Sequence, residues 1–189
     1  MNQEVKSGKI LSPVTPWTDR SVPGIHVPDE QQTLKATFTE PTIECPECHA
    51  LVTRTAMSFN AYVCPQCDEH LKMKARDRLN WFFDQTTGEL GQEFVAKDPL
   101  KFADSKPYPV RMKEAQEKTG ETEALVVMQG QIKGLSLIAC AFEFDFMGGS
   151  MGTVVGDRFV QAAEKAIATK QPMVCFAASG GARMQEGML

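Results

Sequence analysis

The chain has 189 residues, of which 42% are hydrophobic, and its 20 basic and 24 acidic side chains give a formal net charge of −4. This length allows one hydrophobic core with a small additional module, and the weakly acidic charge argues against a polyanion as the main partner. No secretory signal is visible, and the longest apolar stretch, residues 135–146, is too short and too polar to span a bilayer, so we expect a cytoplasmic protein.

Residues 1–41 contain five prolines among polar residues and show no apolar periodicity, which predicts a flexible N-terminal arm. The next segment, residues 42–97, holds two Cys-x2-Cys pairs and short alternating stretches, which predict two small strands at residues 51–55 and 59–63. A helix is expected from residue 71 to about residue 83, because apolar residues recur there at helical spacing.

The two cysteine pairs, Cys45 with Cys48 and Cys64 with Cys67, are separated by 15 residues and predict a zinc site. Four thiolates complete the tetrahedral shell that zinc prefers and leave no open position for a substrate, so the ion is expected to be structural. Disulfide bonds, an iron ion in a rubredoxin-like site and a chance occurrence are the alternatives. The histidines that could replace a ligand, and the cations that could balance the cluster, are His49, His70, Arg54, Lys72, Lys74 and Arg76.

Residues 98–189 are predicted to form an α/β domain. A short helix at residues 111–118, ended by Gly120, precedes two neighbouring strands at residues 124–128 and 135–146. Turns are expected at Gly130 and at Lys133–Gly134.

A βαβ crossover is predicted next. The glycine loop 147–152 leads into an amphipathic helix, and a further apolar strand covers residues 173–178, so the two flanking strands are expected to be parallel. The residues expected on the buried face of that helix are Val155, Phe159, Ala163, Ala166 and Ile167.

Two glycine-rich loops are candidates for substrate contact. The loop 147–152 lacks the Lys-Ser/Thr ending of a P-loop and the spacing of a dinucleotide fold, which disfavours nucleotide binding. The segment Ser179-Gly-Gly-Ala-Arg183 follows a strand and precedes a predicted helix start, so its backbone N–H groups could stabilise an oxyanion. In both loops the alternative is a purely conformational role for glycine. The oxyanion-hole candidates are Gly180, Gly181 and Ala182, and the substrate-binding candidates are Gly148, Gly149 and Arg183.

Five blocks occur in order along the chain, and their order is far more specific than any one of them. They are CPECHALV, YVCPQCDEHLKMKARDRL, FADSKPYPVRMKEAQEKTGETEALVVMQGQIKG, FEFDFMGGSMGTVVGDRFV and CFAASGGARMQEG. Together, from about Ile43 to Leu189, they resemble the β subunits of bacterial acetyl-CoA carboxylase carboxyltransferase. The resemblance implies a four-cysteine zinc ribbon, whose ligands match the cysteines above, followed by a carboxyltransferase core of the ClpP/crotonase type.

The same resemblance implies an activity and a set of partners. A carboxyl group would pass from carboxybiotin, supplied in trans by the biotin carboxyl carrier protein, to acetyl-CoA, giving malonyl-CoA for fatty acid biosynthesis. The implied partners are a carboxyltransferase α subunit, in an α2β2 heterotetramer, and biotin carboxylase, which uses the ATP. Family members continue past the last block through a further glycine pair, so we expect an incomplete crotonase domain and an inactive 189-residue chain when it is alone.

Two other function classes remain at this point. Several cations in residues 70–78 directly follow the metal site, which is compatible with a nucleic-acid-binding zinc ribbon, although the acidic net charge counts against it. A biotin-independent crotonase-like enzyme acting on acyl-CoA would use similar oxyanion donors but needs its own acid or base, and the sequence offers no convincing one.

Overall fold

The described part of the chain begins with a small two-stranded hairpin. The computed structural model describes residues 40–187, so nearly all of the predicted N-terminal arm, residues 1–41, lies outside it. Strand β1 (Thr42–Glu44) pairs antiparallel with β2 (Leu51–Thr53), and the first cysteine pair lies in the turn between them.

The segment between the two cysteine pairs contains a helix where the sequence predicts a second strand. Helix α1 (Arg54–Phe59) begins because the side chain of Thr53 accepts a hydrogen bond of 3.2 Å from the Ala56 N–H, which is an N-cap. Residues 61 and 62 then adopt positive φ angles, which no regular strand allows. The predicted strand at 59–63 is therefore wrong, and only Val63 forms an isolated bridge there.

Helix α2 (Ala75–Phe82) starts four residues later than its apolar spacing predicts. The carboxylate of Glu143, 68 residues further along the chain, accepts a hydrogen bond of 3.0 Å from the Ala75 N–H and so caps the helix at that point. Leu71 and Met73 pack instead against the small hydrophobic cluster of the cysteine module. A tertiary contact, which periodicity does not encode, sets this helix start.

A four-stranded sheet with the order β3-β4-β5-β6 forms the centre of the molecule. Its strands are β3 (Gln85–Leu90), β4 (Leu125–Ile132), β5 (Leu135–Phe142) and β6 (Met173–Phe176), and the β5–β6 pair is parallel while the others are antiparallel. The parallel pair confirms the predicted βαβ crossover.

The two faces of this sheet are covered by different helices. Val126 and Ala139 point to the side of α2, whereas Val127 and Ile138 point to the side of α3 (Tyr108–Thr119) and α4 (Thr153–Thr169). Both α2 and β3 precede residue 98, yet they pack on or pair with the central strands. We therefore propose that the α/β body begins near residue 75 rather than at the predicted domain limit of residue 98.

Two local features of the core differ from their sequence predictions, and a third agrees with its prediction. Gly130 lies inside β4 and not in a turn, because the ring of Phe83 occupies the space of a side chain, and a Cβ on Gly130 would lie 2.4 Å from it. Strand β5 ends at Phe142, and the following Glu143 turns inward to accept hydrogen bonds. The predicted helix before β4 is confirmed, with Gly120 at its C-cap in the left-handed region.

Helix α4 buries a partly different face from the predicted one. Val155 and Ala166 are buried as expected, but Phe159 and Ile167 are 43% and 77% exposed, and Arg158 is buried in their place. The Arg158 guanidinium donates to the Gly91 and Leu125 carbonyls and to the Thr122 hydroxyl at 2.7 to 2.8 Å, so each of its three nitrogens has an acceptor although the side chain is buried. Among the described helices, none combines the length and apolarity needed to cross a bilayer.

Candidate functional site

The four cysteines of the two pairs converge on one point. Their sulfur atoms all lie within 4.8 Å of one another, with Cys45 Sγ 3.6 Å from Cys67 Sγ and Cys48 Sγ 3.7 Å from Cys64 Sγ. A tetrahedron with metal–sulfur bonds of about 2.3 Å has edges of about 3.8 Å, whereas a disulfide bond is about 2.0 Å long. The cluster therefore fits a tetrahedral metal ion, and all four cysteines are free thiols.

Each cysteine pair is held by the same kind of turn. The His49 N–H donates to the Cys45 carbonyl at 3.0 Å, and the Asp68 N–H donates to the Cys64 carbonyl at 2.9 Å. Both His49 and Asp68, which directly follow the second cysteine of their pair, have φ angles near 60°. A hydrogen bond from the Cys48 backbone lowers the pKa of Cys45 to about 7. A backbone hydrogen bond from Glu69 lowers the pKa of Cys67, but burial and the neighbouring sulfurs outweigh it and raise this pKa to about 12, so metal binding must release protons from the cluster.

The residues around the cluster are engaged elsewhere. His49 Nδ1 lies 3.0 Å from a Glu44 carboxylate oxygen, outside the set of four sulfur ligands. Lys72 pairs with Asp145 at 2.6 Å. Arg76 bridges two carboxylates of the α/β body, Glu89 and Glu121, at 2.7 to 2.8 Å. These two cations pair with acidic residues of the α/β body, so the basic stretch after the metal site is partly paired, and the partial balancing of the cysteine cluster by nearby cations stays a prediction.

The two predicted glycine loops lie side by side. The Gly180 N–H donates to the Gly148 carbonyl, the Met151 N–H donates to the Gly181 carbonyl, and the Arg183 N–H donates back to the Met151 carbonyl, each at 2.9 Å. These bonds continue the parallel pairing of the crossover beyond the end of β6. The candidates from both loops are therefore brought into one site.

Gly149 is the point of closest approach between the loops. Its φ angle is 65°, and a Cβ atom at this position would lie 2.1 Å from the Ala178 carbonyl oxygen. Neither the backbone conformation nor the available space accommodates another residue. Gly148, by contrast, has a φ of 68° but open space where its side chain would be.

The three predicted oxyanion donors differ in their availability. The Gly180 N–H is occupied by the Gly148 carbonyl, and the Gly181 N–H contacts the exposed Ser179 hydroxyl at 3.1 Å. Ala182 is exposed, and its N–H has no acceptor among residues 40–187. The oxyanion assignment stays a prediction, and within it the Ala182 N–H is the donor that is free to meet a ligand.

The side chain of Arg183 is fully buried, although the sequence suggested it as a substrate-binding residue. It donates to the Glu123 carboxylate at 2.8 Å, to the Ser150 carbonyl at 2.8 Å and to the Ser150 hydroxyl at 3.0 Å, and a weaker contact of 3.3 Å reaches the Tyr108 hydroxyl. Burial alone would lower the pKa of Arg183, but the partnership with Glu123 raises it overall, so this side chain is a permanent cation.

The carboxylate of Glu186 lies next to Arg183, between Tyr108 and the start of α4. It accepts a hydrogen bond of 2.6 Å from the Thr153 N–H at the start of α4, and another from the Tyr108 hydroxyl. Burial would raise the pKa of Glu186, yet the hydrogen bonds from Tyr108 and Thr153 and the charge of Arg183 lower it overall. The positive end of α4 is thus occupied by a carboxylate of the chain itself.

Sequence reasoning missed three members of this cluster, Tyr108, Glu123 and Glu186. The spacing of Arg183 and Glu186, three residues apart after a glycine turn, could have suggested an ion pair. Tyr108 and Glu123 carry no local signal, because they reach the cluster from α3 and from the turn before β4. The predicted helix start at 184–186 is a single 3-10 turn in the described residues.

Comparisons with known proteins agree with this architecture. A model of the carboxyl transferase domain matches residues 99–189. The acetyl-coenzyme A carboxylase carboxyl transferase β subunits of Acinetobacter baumannii and Acinetobacter baylyi are 83% and 82% identical to the chain over 189 residues. That of Psychrobacter cryohalolentis is 65% identical over 173 residues, 92% of the chain. The chain spans 63%, 63% and 54% of the length of these three relatives.

Solved structures include more distant matches. A transcarboxylase 12S crystal structure with methylmalonyl-coenzyme A and methylmalonic acid bound is 30% identical, with a TM-score of 0.47, covering 61% of this chain and 21% of that one. The Pseudomonas malonate decarboxylase MdcD-MdcE hetero-dimer is 22% identical, with a TM-score of 0.40, covering 60% of this chain and 40% of that one. The domain match and the cysteine cluster confirm a carboxyl transferase domain of the α/β class preceded by a four-cysteine module, and the crotonase type of the core stays a prediction.

Proposed function

We propose that the chain carries part of the active site that moves a carboxyl group from carboxybiotin to acetyl-CoA, forming malonyl-CoA for fatty acid biosynthesis, because residues 99–189 match a carboxyl transferase domain and its relatives are named as carboxyl transferase β subunits. The observation that carries this proposal is the 83% identity over all 189 residues to a subunit named for that enzyme. Since the chain spans 63% of that relative, the activity, substrates and partners of the whole protein are all part of the proposal.

The partners follow from the same relationship. A β subunit implies a second kind of subunit, and we propose a carboxyltransferase α subunit, in an α2β2 assembly, that completes the active site. The biotin carboxyl carrier protein would bring carboxybiotin, and biotin carboxylase would load it with the use of ATP. The cytoplasm, where acetyl-CoA and the carrier meet, is the proposed compartment.

The proposed reaction requires a proton to leave the acetyl methyl group. The resulting enolate carries its charge on the thioester oxygen, its carbon forms a bond to the carboxyl carbon, and the carbon–nitrogen bond of carboxybiotin breaks. The biotin nitrogen takes up a proton, so the overall charge balances. A backbone donor fixed before the charge develops stabilises such an oxygen most effectively, and the free Ala182 N–H, beside Gly181, is the donor that this chain offers.

We propose that the four-cysteine cluster holds one Zn2+ ion with a structural role. The sulfur–sulfur distances suit a zinc ion, and four thiolates leave no position for a substrate. When bound, the ion supplies folding free energy to a module whose own hydrophobic cluster is small.

The test is an activity assay with defined components. The chain is joined to the remaining part of the Acinetobacter baumannii β subunit, combined with a carboxyltransferase α subunit, and supplied with acetyl-CoA and carboxybiotin. Malonyl-CoA should form at a rate close to that of the unaltered relative, and the 189-residue chain alone should be inactive.

Two results would support a different function for the chain. Turnover of acetyl-CoA without any biotin derivative would favour the biotin-independent acyl-CoA enzyme. An inactive hybrid that binds nucleic acid, with an affinity that falls steeply with salt, would favour the nucleic-acid-binding ribbon. Because Lys72 and Arg76 are already paired with carboxylates, we do not expect the second result.

A further inference from the structure

The structure assigns a positioning role to three buried side chains, Arg183, Glu186 and Tyr108. We propose that they lock the turn 179–182 against the loop 147–152 and so fix the direction of its backbone N–H groups. This inference rests on the proposed function, since it concerns the oxyanion donors of the same site.

Arg183 joins three separate parts of the chain to the glycine turn. Its guanidinium reaches Glu123 before β4, both the carbonyl and the hydroxyl of Ser150 in the neighbouring loop, and the Tyr108 hydroxyl of α3. Its own backbone N–H also bonds to the Met151 carbonyl. A planar fork with several fixed donors can hold such a set at once, which a lysine ammonium cannot do with the same geometry.

Glu186 holds the chain in place three residues after Arg183. One carboxylate oxygen accepts from the first N–H of α4, at Thr153, and the other accepts from Tyr108. A Cβ on Gly152 would lie 2.6 Å from this carboxylate, so the absence of a side chain at Gly152 leaves the space that Glu186 fills. The chain that leaves the turn 179–182 is therefore tied at Arg183 and again, three residues later, at Glu186.

The charges of this cluster partly compensate one another in this arrangement. One buried guanidinium faces two buried carboxylates, Glu123 and Glu186, and the positive end of α4 faces the second of them. Displacing the turn would separate these groups and leave a buried charge without a partner, which is strongly unfavourable. The ion cluster below the glycine turn thus adds to the rigidity that the backbone hydrogen bonds between the two loops already provide.

A displaced glycine turn should change the reaction rate more than the affinity for the substrate. Backbone donors stabilise an oxyanion only when they point at its final position. A misplacement of about 1 Å at a reacting centre lowers the rate on the order of 100-fold. The guanidinium itself is completely buried and reaches no substrate.

The kinetic test uses the carboxyltransferase complex that contains this chain. Arg183→Met should lower kcat on the order of 100-fold while the KM for acetyl-CoA changes by less than about threefold. Arg183→Lys, which keeps the charge but not the fork, should recover part of kcat. The matched control is Arg76→Met, which also removes an arginine from between two carboxylates, Glu89 and Glu121. It should leave kcat within about twofold of the wild type, even if it lowers the melting temperature.

A second measurement separates this inference from the proposed function. In the 189-residue chain, amide hydrogen exchange at Gly180 and Arg183 should be about tenfold faster in Arg183→Met than in the wild type, and unchanged in Arg76→Met. Unchanged exchange, an equal loss of kcat in both arginine variants, or a raised KM with normal kcat would each overturn the positioning role. Faster exchange in a protein whose wild type forms no malonyl-CoA would support the positioning role and reject only the function.

Discussion

Replacing Gly149 by alanine should disturb the contact between the two glycine loops more than the same replacement at the adjacent Gly148. Both residues have φ angles close to 65°, so an alanine at either position carries the same left-handed backbone strain. They differ in space, because the new Cβ meets the Ala178 carbonyl oxygen at 2.1 Å in one case and nothing within 4 Å in the other. The pair of variants therefore isolates the steric contact.

The magnitudes follow from these two contributions. Left-handed strain costs about 1–2 kcal/mol in either variant, and both gain equally from the lower entropy of the unfolded chain. Since a Cβ atom essentially never lies within 3.0 Å of such a neighbour, Gly149→Ala must also push the loops apart by about 0.9 Å, an overpacking cost of about 1–3 kcal/mol. We expect Gly149→Ala to be less stable than Gly148→Ala by about 1–3 kcal/mol.

Chemical denaturation with matched m-values measures this difference directly. In the carboxyltransferase complex, the shift of the loops should also lower kcat in Gly149→Ala on the order of 100-fold relative to Gly148→Ala. Equal stabilities of the two variants would show that the loops move apart freely, and the argument for a close, fixed contact between them would fail.

Two further predictions concern the cysteine module. Cys45→Ser should lose bound zinc and lower the melting temperature, measured by elemental analysis and calorimetry, while Cys175→Ser, an exposed cysteine outside the cluster, should keep one ion per chain. Burial and the hydrogen bond to Asp77 raise the pKa of Tyr62 to about 12. Because the unfolded tyrosine ionises near pH ~10, stability should fall between pH ~10 and ~12, and Tyr62→Phe should flatten that decline. An unchanged slope in this variant would contradict the assignment.

Patterns that depend on near neighbours in the chain were predictable. The four cysteines meet as their spacing predicts, the helix before β4 ends at Gly120, and the parallel pairing of β5 with β6 follows from the strand, loop, helix and strand order. Periodicity and short motifs encode these features, because their causes lie within a few residues.

Features set by distant residues were not predictable. Helix α2 begins at Ala75 because Glu143 caps it, and Gly130 is a strand residue because Phe83 covers it. Arg158 takes a buried place on α4 that a periodicity count gives to Phe159. In each case a contact over many residues outweighs a local preference, which is where single-sequence reasoning is weakest.

Buried charges connect these distant parts of the molecule. Glu143, Arg158 and Arg183 are each at most 2% exposed, and their partners Ala75, Gly91 and Glu123 lie 60 to 68 residues away in the chain.

Alternating apolar residues alone would tolerate several ways of stacking the helices on the sheet. A stacking of the helices that separated one of these buried charged groups from its partner would lower the stability of the fold by about 3–5 kcal/mol. Within residues 40–187 the only buried side-chain polar atom without a partner is Oε1 of Gln161, so the observed stacking satisfies all three. Arg183 belongs to this set and also anchors the glycine turn. The need to keep buried charged groups paired therefore favours a single packing of the helices and, at the same time, places the Ala182 N–H.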